Sequence, residues 1–122
     1  MEELKLGTVE SKFADIIWEN EPISSGQLVK LCGQKLDWKK STTYTMLKRL
    51  CQRGLFQNEK GMVSALMTKE EFGAAQSEKI IEESFDGSLP AFIAAFTSRK
   101  KLSPDDVNEI QKMIDSYRVE GE

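Results

Sequence analysis

The run Trp38-Lys39-Lys40-Ser41-Thr42-Thr43-Tyr44-Thr45-Met46-Leu47-Lys48-Arg49-Leu50-Cys51-Gln52-Arg53-Gly54 carries two faces at helical spacing. Thr43, Met46, Leu47 and Leu50 fall on one side of a helix over residues 40–53, and Gly54 supplies its stop. Ser41, Thr42, Thr45, Lys48, Arg49 and Gln52 fall on the other side. The first stripe suits a core. The second has the order a helix needs to read duplex DNA: short hydrogen-bonding side chains near its start, where base edges come closest, and cations further along for phosphates. Ser41, Thr42 and Thr45 meet the first need, and Lys39, Lys40, Lys48, Arg49 and Arg53 meet the second. Tyr44 is suited to pack on a sugar or donate to a phosphate. The plainer reading of the Ser and Thr run is a helix start in search of a cap.

Working toward the N-terminus, Ser24 and Gln27 form a capping-box pair that opens a shorter helix with Leu28, Val29, Leu31, Cys32 and Leu36 inward. Before it, Thr8 is placed to cap a first helix on which Val9, Phe13, Ile16 and Ile17 recur at helical spacing, with Trp18 close behind and Pro22 as the stop. Working toward the C-terminus from Gly54, strand-like runs at residues 55–57 and 63–68 flank Asn58-Glu59-Lys60-Gly61. Such a turn, with glycine where positive φ is required, predicts a β-hairpin. Three helices followed by a hairpin is the layout of a winged helix-turn-helix, in which the third helix enters the major groove and the hairpin touches the adjacent backbone. Lys60 at the hairpin tip is then either a backbone contact or a solubilising turn charge.

From Lys69 the chain returns to helix with Phe72, Ala75, Ile80, Ile81 and Phe85 apolar, until Asp86-Gly87 breaks it. Ser88 and Pro90 restart a helix over residues 89–98. Ser103-Pro104-Asp105-Asp106 opens the last one, with a capping serine, proline at the first helical position and acids on the positive end of the dipole. The expected fold is mainly α with a small β-hairpin wing, residues 1–68 forming a winged-helix DNA-binding domain and residues 69–122 a helical dimerisation region. Phe85, Leu89, Phe92, Ile93, Phe96, Val107, Ile110, Ile114 and Tyr117 offer more apolar surface than one small winged domain covers. A symmetric dimer buries it, and two reading helices related by a two-fold axis call for a palindromic operator.

Charge follows the same division of labour. The 122 residues carry a net charge of -3. Between residues 30 and 60 there are eight basic residues against Asp37 and Glu59, a balance of +6, which leaves the remainder at -9. A basic block inside an acidic chain is the footprint of one face meeting polyphosphate, although a solvated helix face would carry similar charge. The chain has no histidine, so neither a zinc site with His ligands nor a His-based catalytic pair can be built. Cys32 and Cys51 sit on or beside core stripes and read as small buried apolar residues, with a redox switch as the lesser option. The adjacent acids Glu70-Glu71, Glu82-Glu83 and Asp105-Asp106 do not converge on one point of a helix. No nucleophile, base or phosphate-loop constellation is present, so an enzyme is not expected, nor a metal or a cofactor. The apolar stretch at residues 89–96 is too short to cross a bilayer, and Glu2 and Glu3 are unlike the basic start of a signal peptide, which points to a cytoplasmic protein.

Ile16-Ile17-Trp18, and above all Trp38 followed by the run from Ser41 to Leu50 and then Arg53-Gly54, resemble the signature of the penicillinase-repressor family of BlaI, MecI and CopY type. The match in order and spacing extends across nearly the whole chain. The resemblance implies a bacterial winged-helix transcriptional repressor, dimeric through its C-terminal helices, that occupies palindromic operators and is relieved by an inducing signal. It places base and backbone contacts on Lys40, Ser41, Thr42, Tyr44, Thr45 and Arg49, and the dimer interface on residues 89–96 and the final helix. It also implies a sensor-linked protease as partner, and the bond resembling the family's cleavage site is Ala95-Phe96. Antibiotic-responsive members have asparagine where this chain has Ala95. A different class of reading remains open from the residues alone: a winged-helix adaptor whose third helix binds an acidic protein partner.

Overall fold

The computed structural model describes residues 5–121. In chain order it forms α1 (Thr8–Asn20), β1 (Ile23–Ser24), α2 (Ser25–Leu36), α3 (Lys40–Gln52), β2 (Phe56–Glu59), β3 (Met62–Ala65), α4 (Lys69–Phe85), α5 (Leu89–Arg99) and α6 (Pro104–Gly121). The three helices and hairpin of a winged helix are followed by further helices, as the sequence predicts. Two compact units divide inside α4, between Glu78 and Lys79.

Local chemistry explains most boundaries. Ser24 accepts the Gln27 N–H at 3.1 Å and starts α2, Ser88 accepts the Ala91 N–H at 3.0 Å, and Ser103 accepts the Asp106 N–H at 3.0 Å. Gly54, at φ +86, ends α3 where any other residue would be strained. Several expectations shift. Thr8 is the first residue of α1 and Gly7 is its cap; the free Gly7 N–H donates to Glu10 Oε1 at 2.9 Å. The second hairpin strand stops at Ala65, and Thr68 caps the next helix. Thr68 accepts the Glu71 N–H at 3.0 Å and donates its own N–H to Glu71 at 2.9 Å, a reciprocal cap.

The first unit is built around Phe13, Ala14, Ile17, Leu28, Cys32, Leu47, Leu50, Leu55, Phe56 and Val63, all essentially without solvent contact. Burial of each large side chain contributes about 1.5–3 kcal/mol. Trp18 spans the edge of this core, 5.3 Å from Phe56 and 5.8 Å from Phe72 between ring centroids, with its indole N–H donating to the Met67 carbonyl at 2.9 Å. A small antiparallel sheet of order β1-β3-β2 completes the unit. Ile23 faces Val63 across one pair and Asn58 faces Val63 across the other, so β3 is the central strand. In the second unit Phe85, Phe92 and Phe96 form a ladder of rings at 5.5 and 6.3 Å. No residue of α5 is buried.

Candidate nucleic-acid interface

The reading face of α3 is set by what the helix buries. Thr43, Leu47 and Leu50, spaced four and three residues apart, are inside and pack α3 on α2 and β2. Helical geometry then turns the opposite row outward, and Ser41, Thr42, Thr45, Lys48, Arg49 and Gln52 are all exposed. Ser41, Thr42, Thr45 and Arg49 line a shallow hollow together with the half-buried Met46, which the sequence had placed in the buried stripe. Met46 sits at the rim because it lies at the edge of the buried arc, beside Thr42 and Thr45.

Lys39 caps α3 through its extended backbone, and both Lys39 and Lys40 are exposed. The first turn carries no acid. Free N–H groups, the positive end of the helix dipole and two lysines therefore coincide at one helix start, an arrangement that attracts anions. The turn before it is held by Trp38, whose ring lies 5.3 Å from Phe13 and whose backbone N–H donates to the Cys32 carbonyl at 3.3 Å. Asp37 takes the left-handed conformation at φ 58 that ends α2.

At the hairpin tip Lys60 (φ 53) and Gly61 (φ 84) are both left-handed, the type I′ geometry of a two-residue turn, and the Lys60 side chain is exposed. The Ser25 N–H donates to the Gly61 carbonyl at 2.8 Å, tying the tip to the start of α2.

Two site candidates are placed otherwise than the sequence implies. Tyr44 is half-buried, and its hydroxyl donates to Ser25 Oγ at 3.0 Å, so it pins α3 to α2 beside the hairpin. Arg53 turns back toward α1: its side chain is 19% exposed, it pairs with Glu10 at 3.6 Å and it donates to the Lys5 carbonyl. With its guanidinium held there, Arg53 is a brace between α1 and α3 and not a member of the exposed cationic row. Glu10 also pairs with Arg49 at 3.5 Å. The Gly7 N–H, above all, and the two guanidiniums hold the Glu10 carboxyl below its ordinary value against the opposing effect of burial. Glu10 carried no signal in the sequence, because with Thr8 read as the cap its place three residues after Gly7 does not show.

Burial pushes both thiols up, that of Cys32 against a hydrogen bond from Thr43, so neither is a ready thiolate. Among the described residues no cluster of acids and cysteines could hold a metal ion, and no helix is long and apolar enough to cross a membrane. The residues expected at a dimer interface lie in the second unit. Leu89, Ile93, Phe96, Val107, Ile114 and Tyr117 are exposed, as are Ile80 and Met113, whereas Phe85, Phe92 and Ile110 are half-buried. Ala95 and Phe96 are exposed in the second turn of α5, and the Ala95 carbonyl accepts the Ser98 hydroxyl at 2.7 Å.

The family model described as penicillinase repressor matches residues 6–116. The chain is 20% identical to the penicillinase repressor of Bacillus licheniformis over 118 residues, 93% of this chain and 92% of that protein. It is 20% identical to the methicillin resistance regulatory protein MecI of Staphylococcus aureus over 114 residues, 90% of this chain and 93% of that one. A 16.5 kDa protein of Latilactobacillus sakei without an assigned role is 24% identical over 114 residues, 90% of this chain and 78% of its own length. With the winged-helix order and nearly the full length matched, the chain belongs to the penicillinase repressor family, whose members are transcriptional regulators and not enzymes.

Proposed function

We propose that this protein is a homodimeric transcriptional repressor of the bacterial cytoplasm that occupies a palindromic promoter operator. The observation that carries this reading is the exposed row Ser41, Thr42, Thr45, Lys48 and Arg49 on a helix whose other row is locked into the core. In the complex α3 lies in the major groove, with Ser41, Thr42 and Thr45 toward base edges and Lys39, Lys40, Lys48 and Arg49 on phosphates. Lys60 carries the hairpin to the neighbouring backbone. Tyr44 and Arg53 set the attitude of α3 from behind. Residues 69–122 supply the dimer contact, and the two reading helices reach half-sites related by the dimer axis. Repression is steric: the bound dimer covers the promoter. Relief comes from an inducing signal that separates the protomers or lowers their affinity for DNA, and the family likeness points to cutting of the Ala95-Phe96 bond by a sensor-linked protease. That bond lies in a helix, and proteases take extended segments, so α5 has to open before the cut.

The test is titration of the purified protein against the duplex upstream of its own gene at two salt concentrations, with light scattering for mass. Saturable binding by a species of twice the chain mass, weakening steeply as salt rises, is the expected result. A monomer indifferent to every duplex overturns the reading and turns the basic helix into a docking surface for an acidic protein.

A further inference from the structure

The cations of α3 are not equally free. Among the described residues Arg49 is the member of the exposed row that an acid of another helix holds: its side chain is 55% exposed, yet Nη1 sits 3.5 Å from Glu10 Oε2. Glu10 is itself fixed. Its Oε1 accepts the Gly7 N–H at 2.9 Å, its Oε2 lies 3.6 Å from Arg53, and its side chain is only 19% exposed. Arg53 is anchored in turn on the Lys5 carbonyl. A carboxylate gripped from two sides is an unusual partner for a long exposed arginine, which would otherwise sample many rotamers and lose that freedom on meeting a phosphate.

We propose that Glu10 is a positioning residue for DNA binding, holding the Arg49 guanidinium in place while leaving most of that side chain in solvent for a phosphate. A guanidinium has five N–H donors in a rigid fork, so one carboxylate oxygen occupies a minority of them. Arg49 lines the same hollow as Ser41, Thr42 and Thr45, and an arginine fixed there fixes the register in which those hydroxyls meet the groove. The inference rests on the proposed reading of α3 as the DNA-contacting helix.

Its test turns on a sign. Glu10 is a negative charge near a polyanion, so by charge alone Glu10→Gln tightens binding. Positioning predicts the reverse. Glutamine still accepts the Gly7 N–H and keeps the start of α1, as the capping-box pairing of Glu or Gln implies. Fluorescence anisotropy with the operator duplex is expected to give Glu10→Gln an affinity about three- to tenfold weaker than wild type, a loss on the scale of one exposed charge contact. In an Arg49→Ala background the loss is expected to vanish, leaving at most the slight tightening that removal of one negative charge gives, because the positioning effect runs through Arg49. Binding by Glu10→Gln as tight as wild type, or tighter, overturns the proposal. So does an equal loss in the Arg49→Ala background, which marks a general disturbance of the fold, and melting of the four proteins reports that disturbance independently. Failure of wild type to bind any duplex overturns the DNA reading itself.

Discussion

At Glu10, an ion pair that no pattern in the sequence announces has a consequence for stability. The Gly7 N–H first, then Arg53 and Arg49, depress its carboxyl below the ordinary 4.5. A group whose folded value is lower than its unfolded one binds fewer protons when folded, so its contribution is fully present above 4.5 and is lost as pH falls through the lower folded value. Glu10→Gln removes the ionic share and keeps the acceptor. Urea unfolding should put the variant about 0.5–1 kcal/mol below wild type at neutral pH, with the gap closing in acid. A gap indifferent to pH would mean that the carboxylate charge does nothing for folding. The outward row of α3 was legible because Thr43, Leu47 and Leu50 leave one side for it. Arg53 was not: residue type and spacing make it a phosphate contact, and only the packing of α1 beside α3, which brings Glu10 and the Lys5 carbonyl to it, turns it inward. Tyr44 is a similar case, its hydroxyl taken by Ser25 from the start of α2.

Among the elements, the hairpin was half readable. Glycine at position 61 marks the turn, and both Lys60 and Gly61 have positive φ, so the turn lies where the sequence puts it. Strand ends were less visible, since Thr68 has the β propensity of a strand residue and the hydroxyl of a cap, and Glu71 three residues later decides for the cap. β1 had no signal at all. Two residues are too few for an alternating pattern, and their pairing with β3 is settled about forty residues further on. Gly61→Ala is a direct test of the turn. The added methyl would meet nothing closer than Ser25 Oγ at 3.9 Å, so the cost is conformational, about 1–2 kcal/mol for an L side chain held at φ 84. The melting temperature of the variant should fall accordingly. An unchanged melt would show that this turn does not need the left-handed geometry.

Taken whole, the molecule has one unit with a closed core and another whose helices leave apolar side chains in solvent. That surplus was legible from Ile93, Phe96, Val107, Ile114 and Tyr117, stripes at helical spacing for which a small winged domain has no matching surface. How two copies would meet is not written in a single chain, because a self-complementary surface depends on shapes that periodicity does not encode. Ile93→Glu with Ile114→Glu tests the dimer of the proposed function. These side chains are 38% and 54% exposed in the single chain, so charging them costs the protomer little, whereas an interface closing over them would have to bury four carboxylates. Light scattering should report the mass of one chain with helical content unchanged. Affinity for a palindromic duplex should fall by about a hundredfold or more, because two linked half-site contacts become two independent ones, while binding to a single half-site stays as weak as before. A variant that keeps twice the chain mass and full operator affinity would move the dimer contact away from these faces of α5 and α6.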